Sequence, residues 1–477
     1  MVLRKTGCQT SNDNGVVNGN SHDNNRHNDI DGNSTSGNGS LKPPTTAGPP
    51  IDQGHLQSLI DQLTYSISQL QTDDTARIKT TTAALEVAAA VRPPGDTIMG
   101  WFANMSVVSA VRLFLHWRAF DIIPAGNGES ITYTELAEQL HANEALLARI
   151  ASMLTSSHVL SHQPPSTTNG PPSLAHTPTS LLLRSGQPMS AMFSLMCTNV
   201  TDVSTILPSY FDAYGRTEPV GPGNIPTSYL AGHPEEDFFS LLKKDEKKLA
   251  DFALAMQMTS KRVPVTGVYD MTRVLEASKE SGRETVWVDV GGGDGHTVRE
   301  FLRDYPGLRA EKCVVQDLEE VVVAAEREVQ MEEREGGLKG VRWVGMDFMR
   351  EAPVKGALVY YLRHILRDYS DPIATGILRN IARAMTDPDA RILISEQLNP
   401  DSAAAPLPLF AAFKDFSMLS VGGKERSLKQ FAAVADAAGL RVSGVYRHEA
   451  TAHAVVELAL KRAANGMVGG DGVNGGS

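Results

Sequence analysis

The residues best placed for chemistry are three carboxylates at the ends of three short apolar runs, with glycines after the first. The run TVWVDVGGGDG, 285–295, passes Asp289 and breaks into Gly291, Gly293 and Gly295. A backbone that must approach a ligand closely, with positive φ, cannot carry Cβ atoms. Amphipathic sequence follows at Val298, Phe301 and Leu302, so a strand, a glycine turn and a helix start are predicted. The spacing is neither the G-x-G-x-x-G of dinucleotide enzymes nor a P-loop. CVVQD, 313–317, ends in Asp317 about two dozen residues after the glycines, where a doubly wound sheet places the carboxylate for two ribose hydroxyls. VRWVGMD, 341–347, ends in Asp347 beside Phe348, an acid for an exocyclic amine next to an aromatic face for a purine. A single strand-end acid commonly caps the following helix; three at one sheet edge point to a nucleotide-type cofactor.

A second group of ionisable residues follows a fourth apolar run, ALVYYL at 357–362: Arg363, His364, Arg367 and Asp368. A guanidinium cannot give up its proton near neutral pH and so cannot serve as a general base. It can hold a fork of N–H donors against a carbonyl or a developing oxyanion, and Asp368 beside it can aim that fork. His364 reads as structural, because an imidazole base needs reach as well as a suitable pKa.

The elements that must position these groups are a parallel sheet and its helices. RILISEQ, RVSGVYRH and AHAVVELAL complete seven strands, with Ile373, Ile377 and Ile381 as the inner stripe of an intervening helix. Upstream, Leu56, Leu59, Ile60, Leu63, Ile67 and Leu70 recur at helical spacing, and Pro93-Pro94-Gly95 ends the next helical segment. From 97 to 123 the chain is apolar on more than one face, which suits a helix buried between domains or protomers. TYTELAEQL, the helix 144–154 and the strand-like HVLSHQ and HTPTSLLL read as a winged helix, with 163–173 as an enlarged wing loop. Its recognition helix offers only Arg149 as a cation, too little for phosphate neutralisation.

The chain of 477 residues is long enough for two or three domains. A formal net charge of −11 argues against nucleic-acid or anionic-membrane partners. Cys8, Cys197 and Cys313 lack metal spacing and fit a reducing, cytoplasmic setting. No apolar leader is read at the N-terminus, and no stretch is read as approaching a membrane span. Residues 1–50 and 464–477 are poor in apolar side chains and read as disordered tails.

The segments DVGGGDG, QDLEEVV, GMDFM, YYLRHILRDYSDP, LISEQ and FKDFSMLSVGGKERSLKQFAAVADAAGL resemble the S-adenosylmethionine-dependent O-methyltransferases of plant caffeate type and their fungal relatives, over about 97–460. The resemblance implies a Rossmann-like class I methyltransferase domain with a seven-stranded sheet at 266–463. Before it, at 51–265, it implies a helical, winged-helix-like dimerisation domain, and hence a homodimer. It assigns Gly291 and Gly293 to the methionine portion of S-adenosylmethionine, Asp317 to the ribose, Asp347 and Phe348 to the adenine, and Arg363 to the place of a lysine that contacts the adenosine. Phe252, Met256 and Met418 fall where the family lines its acceptor pocket. Family members carry Leu-His-Asp-Trp or Leu-His-Asp-Tyr, and that histidine takes the acceptor's proton. This chain has Leu366-Arg367-Asp368-Tyr369, so the base is missing while its flanking acids persist as Glu396 and Glu425. An Arg-Asp pair at that place is similar to the fungal pericyclases of polyketide and pyridone pathways. That likeness implies a Diels–Alder, hetero-Diels–Alder or retro-Claisen step on a natural product, with Arg367, Asp368, Glu396 and Glu425 as the catalytic group and S-adenosylmethionine as an electrostatic cofactor. The alternatives are methylation of a phenolic or enolic hydroxyl, and an inactive or regulatory member.

Overall fold

The computed structural model describes residues 51–71, 76–164, 170–262, 265–280, 282–331, 337–401, 407, 409–448 and 451–461. The two expected tails and part of the wing loop lie outside the described residues.

The small sheet pairs β1 (Ile131–Thr132), β2 (Leu160–Gln163) and β3 (Ser173–His176) in the order β1-β3-β2. With the helices Tyr133–Gln139 and Glu144–Ser156 it encloses Leu136, Leu147, Leu154, Leu160 and Leu174. Thr132 and Glu135 cap the first of these helices reciprocally. The second wing strand sits earlier than HTPTSLLL. Pro178, which cannot donate to a strand ladder, opens a short helix Pro178–Leu181 that Thr177 caps.

The main sheet comprises β4 (Trp287–Val290), β5 (Cys313–Asp317), β6 (Arg342–Gly345), β7 (Val359–Arg363), β8 (Arg391–Asn399), β10 (Leu440–Arg447) and β11 (His453–Leu460), in the order β10-β11-β8-β7-β4-β5-β6. These are the seven strands expected; a two-residue eighth, β9 (Arg426–Ser427), pairs in parallel with the end of β8. From β6 to β8 neighbours are parallel, whereas β11 and β10 add antiparallel. Side chains alternate through the sheet. Tyr360 and Leu362 pack on one face with Ile377 and Ile381, beside partly buried Ile373. Trp287, Tyr361 and Val455 pack on the other face with Val298 and Phe301. From β4 the chain runs outward to β5 and β6, then returns to β7 on the opposite flank, so a crevice opens at the carboxyl ends of β4 and β7.

The helix Ala76–Val91 ends just before Pro93-Pro94-Gly95, as that signal implies, and the helix Pro94–His116 starts on a proline at its first turn. It leaves Ile98, Met99, Trp101, Phe102 and Met105 exposed. The helix Gln53–Ser68 packs on Ala76–Val91, yet of its apolar stripe Leu59 is buried while Ile60, Ile67 and Leu70 are exposed. The row of exposed apolar residues on Pro94–His116 marks an interaction face. Contrary to the sequence expectation, Pro94–His116 is long and apolar enough to cross a membrane by length and composition, with mean hydropathy 1.5. Its excess apolarity lies on the face that the single chain does not cover.

Candidate active site

After β4 the chain turns at Gly291 with φ +75°, a conformation that strains any residue with a side chain. A Cβ there would also stand 2.5 Å from Ile365 Cδ1. At Gly293, φ +57°, nothing lies within 4 Å of where a Cβ would stand, so the turn leaves open space beside its backbone. The Gly293 N–H donates to Asp317 Oδ2 at 2.9 Å, and the Leu318 N–H donates to Oδ1 at 2.8 Å. Burial raises the Asp317 pKa despite these two bonds. Phe348 meets Tyr369 edge to face, 6.0 Å between centroids at 81°. Tyr369, half-buried, has its pKa raised by desolvation first and then by Asp368, Asp237, Asp317 and Asp347. Its hydroxyl therefore feels the field of these acids, which the strand-end pattern alone did not reveal. Gly291, Gly293, Asp317, Asp347 and Phe348 come together, and the positive-φ turn with its open side fits a nucleoside-bearing cofactor.

Two residues assigned to that group make bonds within the chain itself. Asp347 Oδ1 accepts from the Met349 N–H at 2.9 Å, which is the capping arrangement ordinary for strand-end acids. Buried Arg363 donates from Nη1 to Ser395 Oγ at 3.3 Å, and that hydroxyl lies 2.9 Å from His453 Nε2.

At the end of β7, His364 takes φ +55° and the chain enters a 3₁₀ turn, Leu366–Asp368. This turn is held from outside. Fully buried Arg426 donates to Leu366 O and Tyr369 O, each at 2.7 Å, and to Asp371 Oδ1 at 2.9 Å. The Lys424 N–H donates to Arg367 O at 2.8 Å. Gly423 lies against that backbone, and a Cβ on it would collide with the Arg367 carbonyl oxygen.

The four residues expected to form the catalytic group converge here. Arg367 Nη1 lies 2.9 Å from Glu425 Oε1, and its Nε lies 3.7 Å from Asp368 Oδ1. The first is a close ion pair without hydrogen-bond alignment, since neither atom meets the angular criterion. Lys414 Nζ reaches the same Glu425 oxygen at 4.0 Å; its place on an ordinary amphipathic helix, Leu409–Met418, gave no warning of this. The Arg367 backbone N–H donates to Glu396 Oε1 at 3.2 Å, while Glu396 Oε2 is buried without a partner among the described residues. Desolvation opposes the charge on Arg367, but Glu425, Asp368 and Glu396 outweigh it and raise its pKa. Burial pushes Asp368 up to about 6, and burial with repulsion from Glu425 pushes Glu396 up to about 7. His364 is driven well below its usual value by burial and by Arg367. Its ring rests 5.9 Å from that of His453, and both its nitrogens are buried without hydrogen bonds among the described residues.

Of the expected pocket residues, Phe252 packs edge to face on Phe238 at 5.8 Å and on Phe239 at 6.0 Å. Met256, one turn on, and Met418, at the end of its helix, are half-buried. The helix Glu246–Arg262 packs along Pro188–Met196, which runs into a π-helical segment, Cys197–Asp202.

Residues 218–441 match an O-methyltransferase domain, and residues 97–186 match an O-methyltransferase dimerisation domain. The methyltransferase pynC of Aspergillus niger is 34% identical over 374 residues, covering 78% of this chain and 98% of pynC. The structure of OxaC in complex with sinefungin and meleagrin superposes with a TM-score of 0.73 at 24% identity, covering 86% of this chain and 100% of that one. The structure of the LepI complex with SAM gives 0.70 at 23% identity, covering 86% and 98%.

Proposed function

We propose, from the premise that this chain belongs to the S-adenosylmethionine-dependent O-methyltransferase family, that it transfers a methyl group to an acidic phenolic or enolic hydroxyl of a small natural product. S-adenosylmethionine bound at the glycine turn supplies an electrophilic methyl on a sulfonium. Gly291 and Gly293 give the methionine portion its approach, Asp317 takes the ribose, and Asp347 with Phe348 borders the adenine. The matched dimerisation domain, together with the exposed apolar face of Pro94–His116, supports a homodimer.

The observation that carries this reading is the buried Arg367 guanidinium, held 2.9 Å from Glu425, at the place where the motif of the resembled family has a histidine. A fixed guanidinium is suited to an acceptor that reacts as its anion, because it stabilises an oxyanion without exchanging protons. Phenols and enols of 1,3-dicarbonyls ionise readily enough to be such acceptors. The naming of pynC as a methyltransferase supports methyl transfer.

The adjacent Arg367 and Asp368 favour a second reading, the pericyclase one. There the same fork would polarise a substrate carbonyl and the methyl group would stay in place. Incubation with methyl-labelled S-adenosylmethionine and a panel of phenols, enols and conjugated polyenes separates the two. Labelled product with S-adenosylhomocysteine is the expected result; an isomerised polyene with the cofactor intact would replace the first reading by the second.

A further inference from the structure

If Arg367 holds the acceptor's anion, some other group must receive the proton that the hydroxyl loses. We infer that Glu396, through its unpartnered Oε2, is that proton acceptor. This rests on the methyl-transfer reading and deepens it.

The placement is specific. Glu396 stands near the end of β8, 2% exposed, with Oε1 fixed by the Arg367 backbone N–H at 3.2 Å and Oε2 carrying no bond among the described residues. A buried carboxylate oxygen left without a donor is costly, so it asks for a proton or a hydrogen-bonding ligand. One oxygen of Glu396 is thus tied to the residue that would hold the anion, while the other is free to receive. The groups around it come from separate elements: Arg367 from the turn after β7, Glu425 from the loop into β9, Arg426 from β9 itself, and Lys414 from the helix Leu409–Met418. Across the ladder, β11 presents Ala454. The carboxyl, pushed up to about 7 by this setting, is matched to general-base work near neutral pH. His364, driven well below its usual value among the cations Arg367 and Arg363, would be a far weaker base.

The step balances simply. The acceptor's O–H bond breaks, its electron pair stays on oxygen beside the Arg367 guanidinium, and the proton passes to Glu396 Oε2, directly or through one water. Glu396 afterwards returns the proton to solvent.

The test is infrared titration of the full-length protein loaded with S-adenosylhomocysteine, from about pH 5 to about pH 9, beside Glu396→Gln. Glutamine keeps an oxygen for the Arg367 N–H but cannot titrate. The expected wild-type-minus-variant difference is a buried protonated-carboxyl stretch that disappears with a midpoint of about 7. If the variant fails to fold, protein carrying carboxyl-13C glutamate and Glu425→Gln answers the same question, since the isotope shift separates glutamate from Asp289 and Asp368 and the substitution removes the other buried glutamate of the cluster. No titrating glutamate band would overturn the inference. With a phenol that wild type methylates, Glu396→Gln should lose ~100-fold or more in turnover and lose the rise of kcat/KM with pH through neutrality; full retention of both would also overturn it. Absence of methyl transfer from every phenol and enol, with the band present, would instead remove the reading on which the role rests.

Discussion

Replacing Arg367 by alanine tests the site's electrostatics in the cofactor-free protein. Arg367 and Glu425 are 2.9 Å apart, with side chains 12% and 0% exposed. At an effective dielectric constant near 20, charges at that distance attract by about 6 kcal/mol before desolvation is subtracted. Arg367→Ala removes the attraction and leaves Glu425 buried, with Lys414 at 4.0 Å as its remaining cation. Breaking one side of a buried pair costs about 3–5 kcal/mol, and Lys414 places this case toward the lower end. Urea denaturation at fixed protein concentration near pH 7 should show this deficit. Adding Glu425→Gln should restore much of the loss, with a coupling energy of about 1.5–3 kcal/mol in the double-mutant cycle. A single-mutant cost under about 1 kcal/mol, with additive behaviour, would refute the buried pair.

Asp317→Ala should weaken S-adenosylmethionine binding by about 10- to 100-fold in calorimetry, since it removes the carboxylate that also anchors the Gly293 N–H. Unchanged affinity would sink the ribose assignment. Gly423→Ala places a methyl against the Arg367 carbonyl oxygen, so the 366–368 turn must shift; the expected outcome is loss of turnover with cofactor affinity kept within about threefold. Wild-type turnover would show that the contact is not needed. Asp289, 1% exposed and pushed up to about 7 by burial, lies beneath the glycine turn. A carboxyl raised in the folded state contributes stability below its unfolded pKa, and this is lost as pH rises through the folded value. Asp289→Asn should flatten that fall, with a gain at pH 8 of at most about 4 kcal/mol. Parallel stability curves for both proteins between pH 4 and pH 8 would contradict it.

The parts of this site that could be read from the chain are those written locally. A glycine turn announces itself because positive φ excludes side chains, and Asp317 follows from the length of a strand–helix–strand unit. The clustering of Arg367, Asp368, Glu396 and Glu425 was carried by motif order. Arg426 looked like one more cation in GGKERS, yet it is fully buried and bonds to two backbone oxygens and an acid of the 366–371 segment. Its role depends on β9 pairing with β8, a two-residue contact with no periodicity to detect. Lys414 and Gly423 were hidden for the same reason, since each matters only through a partner distant in sequence. The displaced wing strand came from reading 176–183 as extended although Pro178 can start a helix. The membrane-length helix was passed over because its apolar faces were assigned to packing inside the assembly.

The central claim is that Arg367 holds an acceptor oxyanion. The most direct measurement is an absorbance titration of 4-nitrophenol bound to the protein loaded with S-adenosylhomocysteine, where no turnover occurs. A guanidinium beside the phenol oxygen should lower the probe's pKa by about one unit or more relative to free 4-nitrophenol, and Arg367→Ala should abolish the shift. A bound probe that ionises at its free value or above it in the wild-type protein would contradict the account.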